Sequence, residues 1–304
     1  FVSCRACGHV LKCPHCDVSL SQHGSGAATR LVCHYCGYTT IQPGLCPVCG
    51  SKYISGFKAG TQKIEQVVKA RFPQARVLRM DMDTTRTKDG YEQILSAFSN
   101  HEADILIGTQ MIVKGHDFPG VTLVGVLAAD LSLYISDYRA SERTFQLLTQ
   151  AAGRAGRGDI PGNVIIQTYD PDHYSITTAK EQNYEAFYGQ EIEYRKMMRY
   201  PPVWNMLYIL CASKNEAAAS EAAVALMGKI DQIVRENSEK IFSIGPSDAP
   251  VAKISDVYRK VIYVKTREYQ TLVVLKDGLE AFIKDNRLYQ NVAVGFDFNP
   301  VNGF

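Results

Sequence analysis

The spacing of apolar positions changes twice along the chain. Between residues 55 and about 200, short β-rich apolar runs alternate with amphipathic stretches. The runs cover residues 76–80, 104–108, 121–128 and 163–168, and the alternation predicts βα units on a parallel sheet. Tyr200-Pro201-Pro202 then ends a helical pattern over residues 183–199, because proline cannot continue a helix and disfavours it in the residue before. Beyond the prolines the pattern reads strand 206–213, helix 215–237, strands 241–247 and 257–266, helix 268–285 and strand 291–298. That order is βαββαβ, a ferredoxin-like or split βαβ arrangement. The Ala-rich run 216–226 favours helix, with Asn215 as its N-cap. Residues 1–54 follow neither period and are rich in Cys, Gly and His. Three regions are therefore expected, at 1–54, 55–200 and 201–304.

The cysteines decide what the first region is. Eight of nine fall in four CxxC pairs within the first 49 residues, and Cys211 stands alone in the remainder. This asymmetry fits metal ligands in a reducing compartment better than a disulfide framework. Two pairs supply the four sulfurs that structural zinc prefers, so two zinc ions per chain are expected. Four pairs can combine in three ways. Sixteen residues separate Cys16 from Cys33, within the usual range, whereas only five separate Cys7 from Cys13. The spacers favour a nested scheme. Cys13, Cys16, Cys33 and Cys36 hold an inner ion, and Cys4, Cys7, Cys46 and Cys49 an outer one. The crossed scheme needs spacers of 25 and 29 residues. Glycine follows Cys7, Cys36 and Cys49, which permits a tight turn aiming backbone N–H groups at sulfur. Sites made of four thiolates leave no open position for substrate, so the ions staple a segment too small to build its own core. His9, His15 and His34 are bystanders on this reading.

Charge and hydropathy exclude more than they suggest. The net charge of +2 argues for no bulk attraction to nucleic acid. Region 1–54 has four cationic side chains against Asp17, but eight thiolates around two divalent ions bring it to about −1. No run reaches the length of a membrane helix, so no membrane partner is expected. The start at Phe1 shows neither Met nor a signal-peptide core and reads as a cut inside a longer protein.

Gln150, Gly153, Arg154, Gly156 and Arg157 form a QxxGRxGR motif. A helix presents Gln150, Arg154 and Arg157 on one face, because offsets of three, four and seven share a side. Guanidinium groups so placed suit the charge that develops on a transferred γ-phosphate. Upstream, residues 104–119 combine a buried strand with a polar loop, setting Thr109 and Gln110 at the strand's C-terminal end, where open α/β sheets bind ligands. Thr61 is a candidate N-cap at residues 60–65, and residues 80–85 read either as a loop that reaches DNA or as an ordinary strand-to-helix loop.

These motifs resemble motifs VI, V and IV of superfamily 2 helicases. Residues 129–131 and 137–150, together with eight cysteines directly before the lobe, make the chain similar to the PriA family of replication-restart DNA helicases. The resemblance implies an α/β RecA-like second motor lobe at 55–200. It further implies a double zinc module inserted in that lobe and a C-terminal α+β domain. By the same resemblance Arg154 and Arg157 are catalytic, and Gln150, Gly115 and Asp117 bind nucleotide. Thr109 and Lys114 would meet DNA. ATP, Mg2+ and a 3′→5′ helicase activity are implied for the full protein. So are branched replication forks, single-stranded DNA, the single-stranded DNA-binding protein and other primosome proteins as partners, in the bacterial cytoplasm at the nucleoid. The sequence contains no GxxxxGK(S/T) loop, so this chain alone is expected not to hydrolyse ATP. The rival reading is a non-motor zinc adaptor that binds nucleic acid or scaffolds a complex.

Weaker signals complete the reading. Tyr184, Phe187, Tyr188 and Glu191 recur at helical spacing as a packing stripe. Lys253, Arg259, Lys260, Lys265 and Arg267 form either a DNA-phosphate contact or a solvated sheet face. Trp204 is expected to anchor the start of the last domain.

Overall fold

The computed structural model describes residues 2–23, 29–56, 60–85, 89–113, 118–135, 137–158, 160–236, 241–286 and 290–301. They fall into two compact units. One comprises residues 1–56, 136–138 and 191–304, and the other residues 57–135 and 139–190.

In the first unit, β1 (Val2–Cys4) pairs antiparallel with β5 (Ile54–Gly56), closing the ends of the Cys-rich segment. Between them β2 (Ser21–His23), β3 (Arg30–Val32) and β4 (Thr39–Ile41) form a three-stranded antiparallel sheet. Five of the nine buried members of this core are cysteines, alongside Val2, Leu20, Leu31 and Ile54. So few aliphatic side chains cannot offset the chain entropy of the segment, which is why metal must contribute.

The same unit holds the C-terminal α+β domain. Its elements are β10 (Asn205–Ser213), α6 (Glu216–Glu236), β11 (Phe242–Ile254), β12 (Val257–Thr266), α7 (Tyr269–Asp285) and β13 (Ala293–Phe298). The sheet order β11-β12-β10-β13, antiparallel throughout, is the ferredoxin-like topology expected from βαββαβ. Leu207, Ile209, Ile262 and Val264 pack under Leu226, Ile230, Leu272 and Leu279. Asn215 caps α6 by accepting the N–H of Ala218 at 3.2 Å. Strand β11 runs seven residues past the expected end at 247, to Ile254. It lies at the sheet edge, where prolines and register shifts are tolerated, and two shifts interrupt its pairing with β12.

In the second unit, β6 (Val77–Met80) pairs parallel with β7 (Ile105–Gly108), and β8 (Leu123–Val126) with β9 (Asn163–Ile166). The helices are α1 (Thr61–Arg71), α2 (Gly90–Ser99), α3 (Ala140–Ala152), α4 (Tyr174–Lys180) and the first part of α5 (Tyr184–Met198). Phe145 of α3 stacks on Phe187 at 4.3 Å between ring centres, and Leu148, Ile176 and Ala179 complete that core. The packing stripe divides: Phe187 is buried, but Tyr184 and Tyr188 face solvent. Thr61 is the first helical residue and not the cap. Its hydroxyl instead donates to Asp81 Oδ2 at 2.5 Å.

Candidate functional site

The structure brings the cysteines together as two nested clusters. The sulfurs of Cys4, Cys7, Cys46 and Cys49 lie within 4.8 Å of one another, as do those of Cys13, Cys16, Cys33 and Cys36. Cys4 and Cys49 are 3.6 Å apart, Cys7 and Cys46 3.7 Å, and Cys13 and Cys36 3.6 Å. A tetrahedron with Zn–S bonds of about 2.3 Å has edges of about 3.8 Å, so both sulfur sets fit zinc without rearrangement. Neither cluster includes a histidine.

Local backbone geometry prepares the thiolates. After Cys7, Cys36 and Cys49 the chain turns through Gly8, Gly37 and Gly50 at φ +76°, +76° and +70°. Their N–H groups close onto the carbonyls of Cys4, Cys33 and Cys46 at 2.9–3.0 Å. The Cys4 thiol is brought down to about 6, first by the N–H of Cys7, then against burial by that of Ala6. The Cys13–Cys16 pair has Asp17 in place of glycine. Its outer contacts come from the turn between β11 and β12. The Ser255 N–H points at Cys16 Sγ at 3.2 Å, and the Asp256 N–H donates to the His15 carbonyl at 2.9 Å. The Asp17 N–H donates to the Lys253 carbonyl at 2.8 Å, and Lys253 Nζ to the Pro14 carbonyl at 2.9 Å. Nothing in the cysteine spacing signals this docking.

The QxxGRxGR motif is built differently from the sequence expectation. Helix α3 ends at Ala152 with Gly153 as its C-cap, so Arg154 and Arg157 do not continue a helical face with Gln150. Two glycines within four residues favour the stop. The chain tightens through Arg154 N–H to Ala151 and Ala155 N–H to Ala152, then passes Gly156 at φ +73°. The Arg154 guanidinium donates twice to the Val113 carbonyl, through Nε at 3.1 Å and Nη2 at 2.7 Å. Arg157 is exposed and its Nε donates to the Gly153 carbonyl at 2.7 Å. Gln150 is exposed on the last turn of α3. The loop packs so closely on Gly162 that a Cβ there would lie 2.2 Å from the Gly156 nitrogen.

Thr109 is exposed directly after β7, and residues 110–113 form a short 3-10 turn. Lys114, Gly115 and Asp117 lie outside the described residues. At the end of β6, Asp81 accepts the Thr61 hydroxyl and the N–H groups of Asp83 and Thr84. Burial works to raise this carboxyl, yet Thr61, Thr84 and Arg79 together hold it below its ordinary range. These contacts make residues 80–85 a braced strand-to-helix loop. Asp130, unmarked as a site in the sequence reading, is 3% exposed and is held by Thr168 and the N–H groups of Tyr169 and Asp170.

Four of the five cations in the basic stretch of the last domain have partners within the chain. Lys265 is 5% exposed and donates to the Met198 carbonyl, with its ammonium 3.8 Å from the Tyr200 ring centre. Lys260 pairs with Asp248, Arg259 donates to the Val251 carbonyl, and Lys253 holds Pro14. Arg267 remains exposed beside the ring of Trp204, which is buried edge-on against Phe242.

Three family models match successive parts of the chain. Residues 13–40 match the PriA DNA helicase Cys-rich region domain. Residues 52–159 match the helicase conserved C-terminal domain, and residues 196–301 the primosomal protein N C-terminal domain. The replication restart protein PriA of Bacillus subtilis is 46% identical over 302 residues, covering 99% of this chain and 37% of its own length. The Synechocystis protein of that name is 46% identical over 268 residues, with coverages of 87% and 32%. That of Borreliella burgdorferi is 35% identical over 301 residues, with coverages of 99% and 44%. The chain thus spans between about a third and under a half of the length of these relatives.

A helicase C-terminal lobe preceded by a zinc-binding Cys-rich ribbon and followed by a ferredoxin-like domain defines the class. Within it, the chain belongs to the PriA family and corresponds to the C-terminal portion of its members.

Proposed function

We propose that this chain is the second-lobe portion of an ATP-dependent 3′→5′ DNA helicase that binds abandoned replication forks and restarts replication. The observation that carries the reading is the Arg154–Val113 clamp, which joins the QxxGRxGR loop to the segment beginning at Thr109. Arg154 and Arg157 follow the C-terminus of α3, where cationic groups are favoured by the helix dipole. On this reading they lend positive charge to nucleotide phosphates, and Gln150 binds the nucleotide beside them. Gly115 and Asp117 would complete the nucleotide side, and Thr109 and Lys114 the DNA side. ATP with Mg2+ supplies the transferable γ-phosphoryl group. The exposure of Gln150 and Arg157 suits an anionic ligand delivered by another lobe.

The partners proposed are branched and single-stranded DNA, the single-stranded DNA-binding protein and other primosome proteins, in the bacterial cytoplasm at the nucleoid. No helix among the described residues is long and apolar enough to cross a membrane. The chain alone is proposed to be inactive, because the sequence carries no phosphate-binding GxxxxGK(S/T) loop.

The test is reconstitution. Mixing or fusing the chain with a P-loop lobe from a relative should give DNA-stimulated ATP hydrolysis that Arg154→Ala or Arg157→Ala lowers on the order of 10³-fold. Activity that ignores both substitutions favours the zinc adaptor, and ATPase activity of the lone chain defeats the proposed division of labour.

A further inference from the structure

The Cys13–Cys16 knuckle stands apart in how it is finished. The other three turn through a left-handed glycine that points an N–H back at the knuckle's own carbonyl. This one has no glycine and meets the two-residue turn Ser255-Asp256, 239 residues away in sequence from Cys16 at the sulfur contact. Both turn residues have positive φ, +50° and +61°, without being glycine. That conformation is uncommon for side-chain-bearing residues. It delivers the Ser255 N–H to Cys16 Sγ at 3.2 Å and the Asp256 N–H to the His15 carbonyl. Two further contacts fasten the turn: Lys253 Nζ to the Pro14 carbonyl, and Asp256 Oδ2 to His15 Nδ1 at 2.7 Å. Ile254, the last residue before the turn, packs into the cysteine core itself.

We propose that the β11–β12 turn is an outer-shell element of the inner zinc site, so that retention of the inner ion depends on the C-terminal domain while retention of the outer ion does not. This rests on zinc occupying both clusters. An N–H donated to a thiolate delocalises its charge and makes it a weaker nucleophile. Cys16 is thereby a poorer target for electrophilic attack, a route by which a zinc thiolate is lost. The outer cluster has two glycine-finished knuckles and needs no help from another domain.

The full chain loaded with cadmium-113 and labelled with nitrogen-15 tests this directly. Scalar coupling through an N–H···S–Cd hydrogen bond should give a proton–cadmium cross-peak for the Ser255 amide. The coupled ion should be the one ligated by Cys13, Cys16, Cys33 and Cys36. Two cadmium resonances with no Ser255 cross-peak would overturn the proposal and leave the metal sites standing. Fewer than two bound ions would overturn both. A second arm uses Lys253→Ala with Asp256→Ala, which removes two fasteners that are not themselves ligands. Release of the inner ion to a chelator should then quicken on the order of tenfold, the scale set by outer-shell substitutions at other metal sites, with the outer ion unchanged. An unchanged rate in a variant that has lost the Ser255 cross-peak also counts against the proposal.

Discussion

Arg154 spends its guanidinium on the backbone carbonyl of Val113, 41 positions earlier, through two hydrogen bonds. A charged donor on a neutral acceptor stabilises by about 1.5–3 kcal/mol. Arg154→Ala in the lone chain should therefore loosen residues 110–113 selectively. Amide exchange there should quicken on the order of tenfold, with little change in cores remote from it. Equal protection in wild type and variant would show that the clamp does not hold this segment.

Zinc removal should unfold the chain in order. The cysteine-rich core lacks enough aliphatic side chains to persist without metal, whereas the ferredoxin-like sheet has its own. Metal analysis should find two zinc ions per chain. A strong chelator should expose residues 2–56 first, as read by thiol titration and amide exchange. The β11–β12 turn should follow, because Ser255 and Asp256 lose their partners. Simultaneous loss of the helicase lobe would contradict this order.

Glu191 and Arg195 form a buried ion pair at 2.7 Å, each about 5–6% exposed. Arg195 also donates to the Pro201 carbonyl at 2.9 Å and lies 5.3 Å from the ring centre of Tyr138. Removing one partner leaves the other charge buried, so Glu191→Ala should cost about 3–5 kcal/mol in urea unfolding. The double change Glu191→Leu with Arg195→Met should cost much less. If the double variant loses as much as the single, the pair does more than compensate its own burial.

Much of this architecture is legible in the chain, and the gaps have physical causes. Periodicity reports local geometry, so the parallel strands and the βαββαβ order emerge within a few residues, except at the end of β11. Spacer lengths limit which knuckles can share an ion, and the nested clusters reflect that limit. The course of the chain after α3 was not legible, because offsets on a helical wheel assume a helix that Gly153 ends. Nor was the fate of the basic stretch. Charges at alternating strand positions look alike in sequence whether they meet solvent or, as with Lys265, a tyrosine face and a carbonyl. The Cys16–Ser255 contact is invisible for a further reason: a backbone N–H carries no residue signature.

Lys265 provides the pH dependence. Burial, and then the nearby Arg199 charge, bring its ammonium down from 10.5 to about 8. A lysine whose folded pKa is depressed holds its proton less readily when folded than when unfolded. Below about pH 8 both states are charged and the folded state bears the full penalty. Between about pH 8 and 10.5 the unfolded chain still binds a proton that the folded one has released, so this group makes stability rise with pH. Lys265→Met should remove the dependence and stabilise the C-terminal domain at pH 7 by about 1–2 kcal/mol, the desolvation relieved less the lost contacts to Met198 and Tyr200. Denaturant midpoints of both proteins at pH 7 and pH 9.5 check this. The difference between them should shrink at the higher pH, and a difference that grows would place the proton on Lys265 in the folded state.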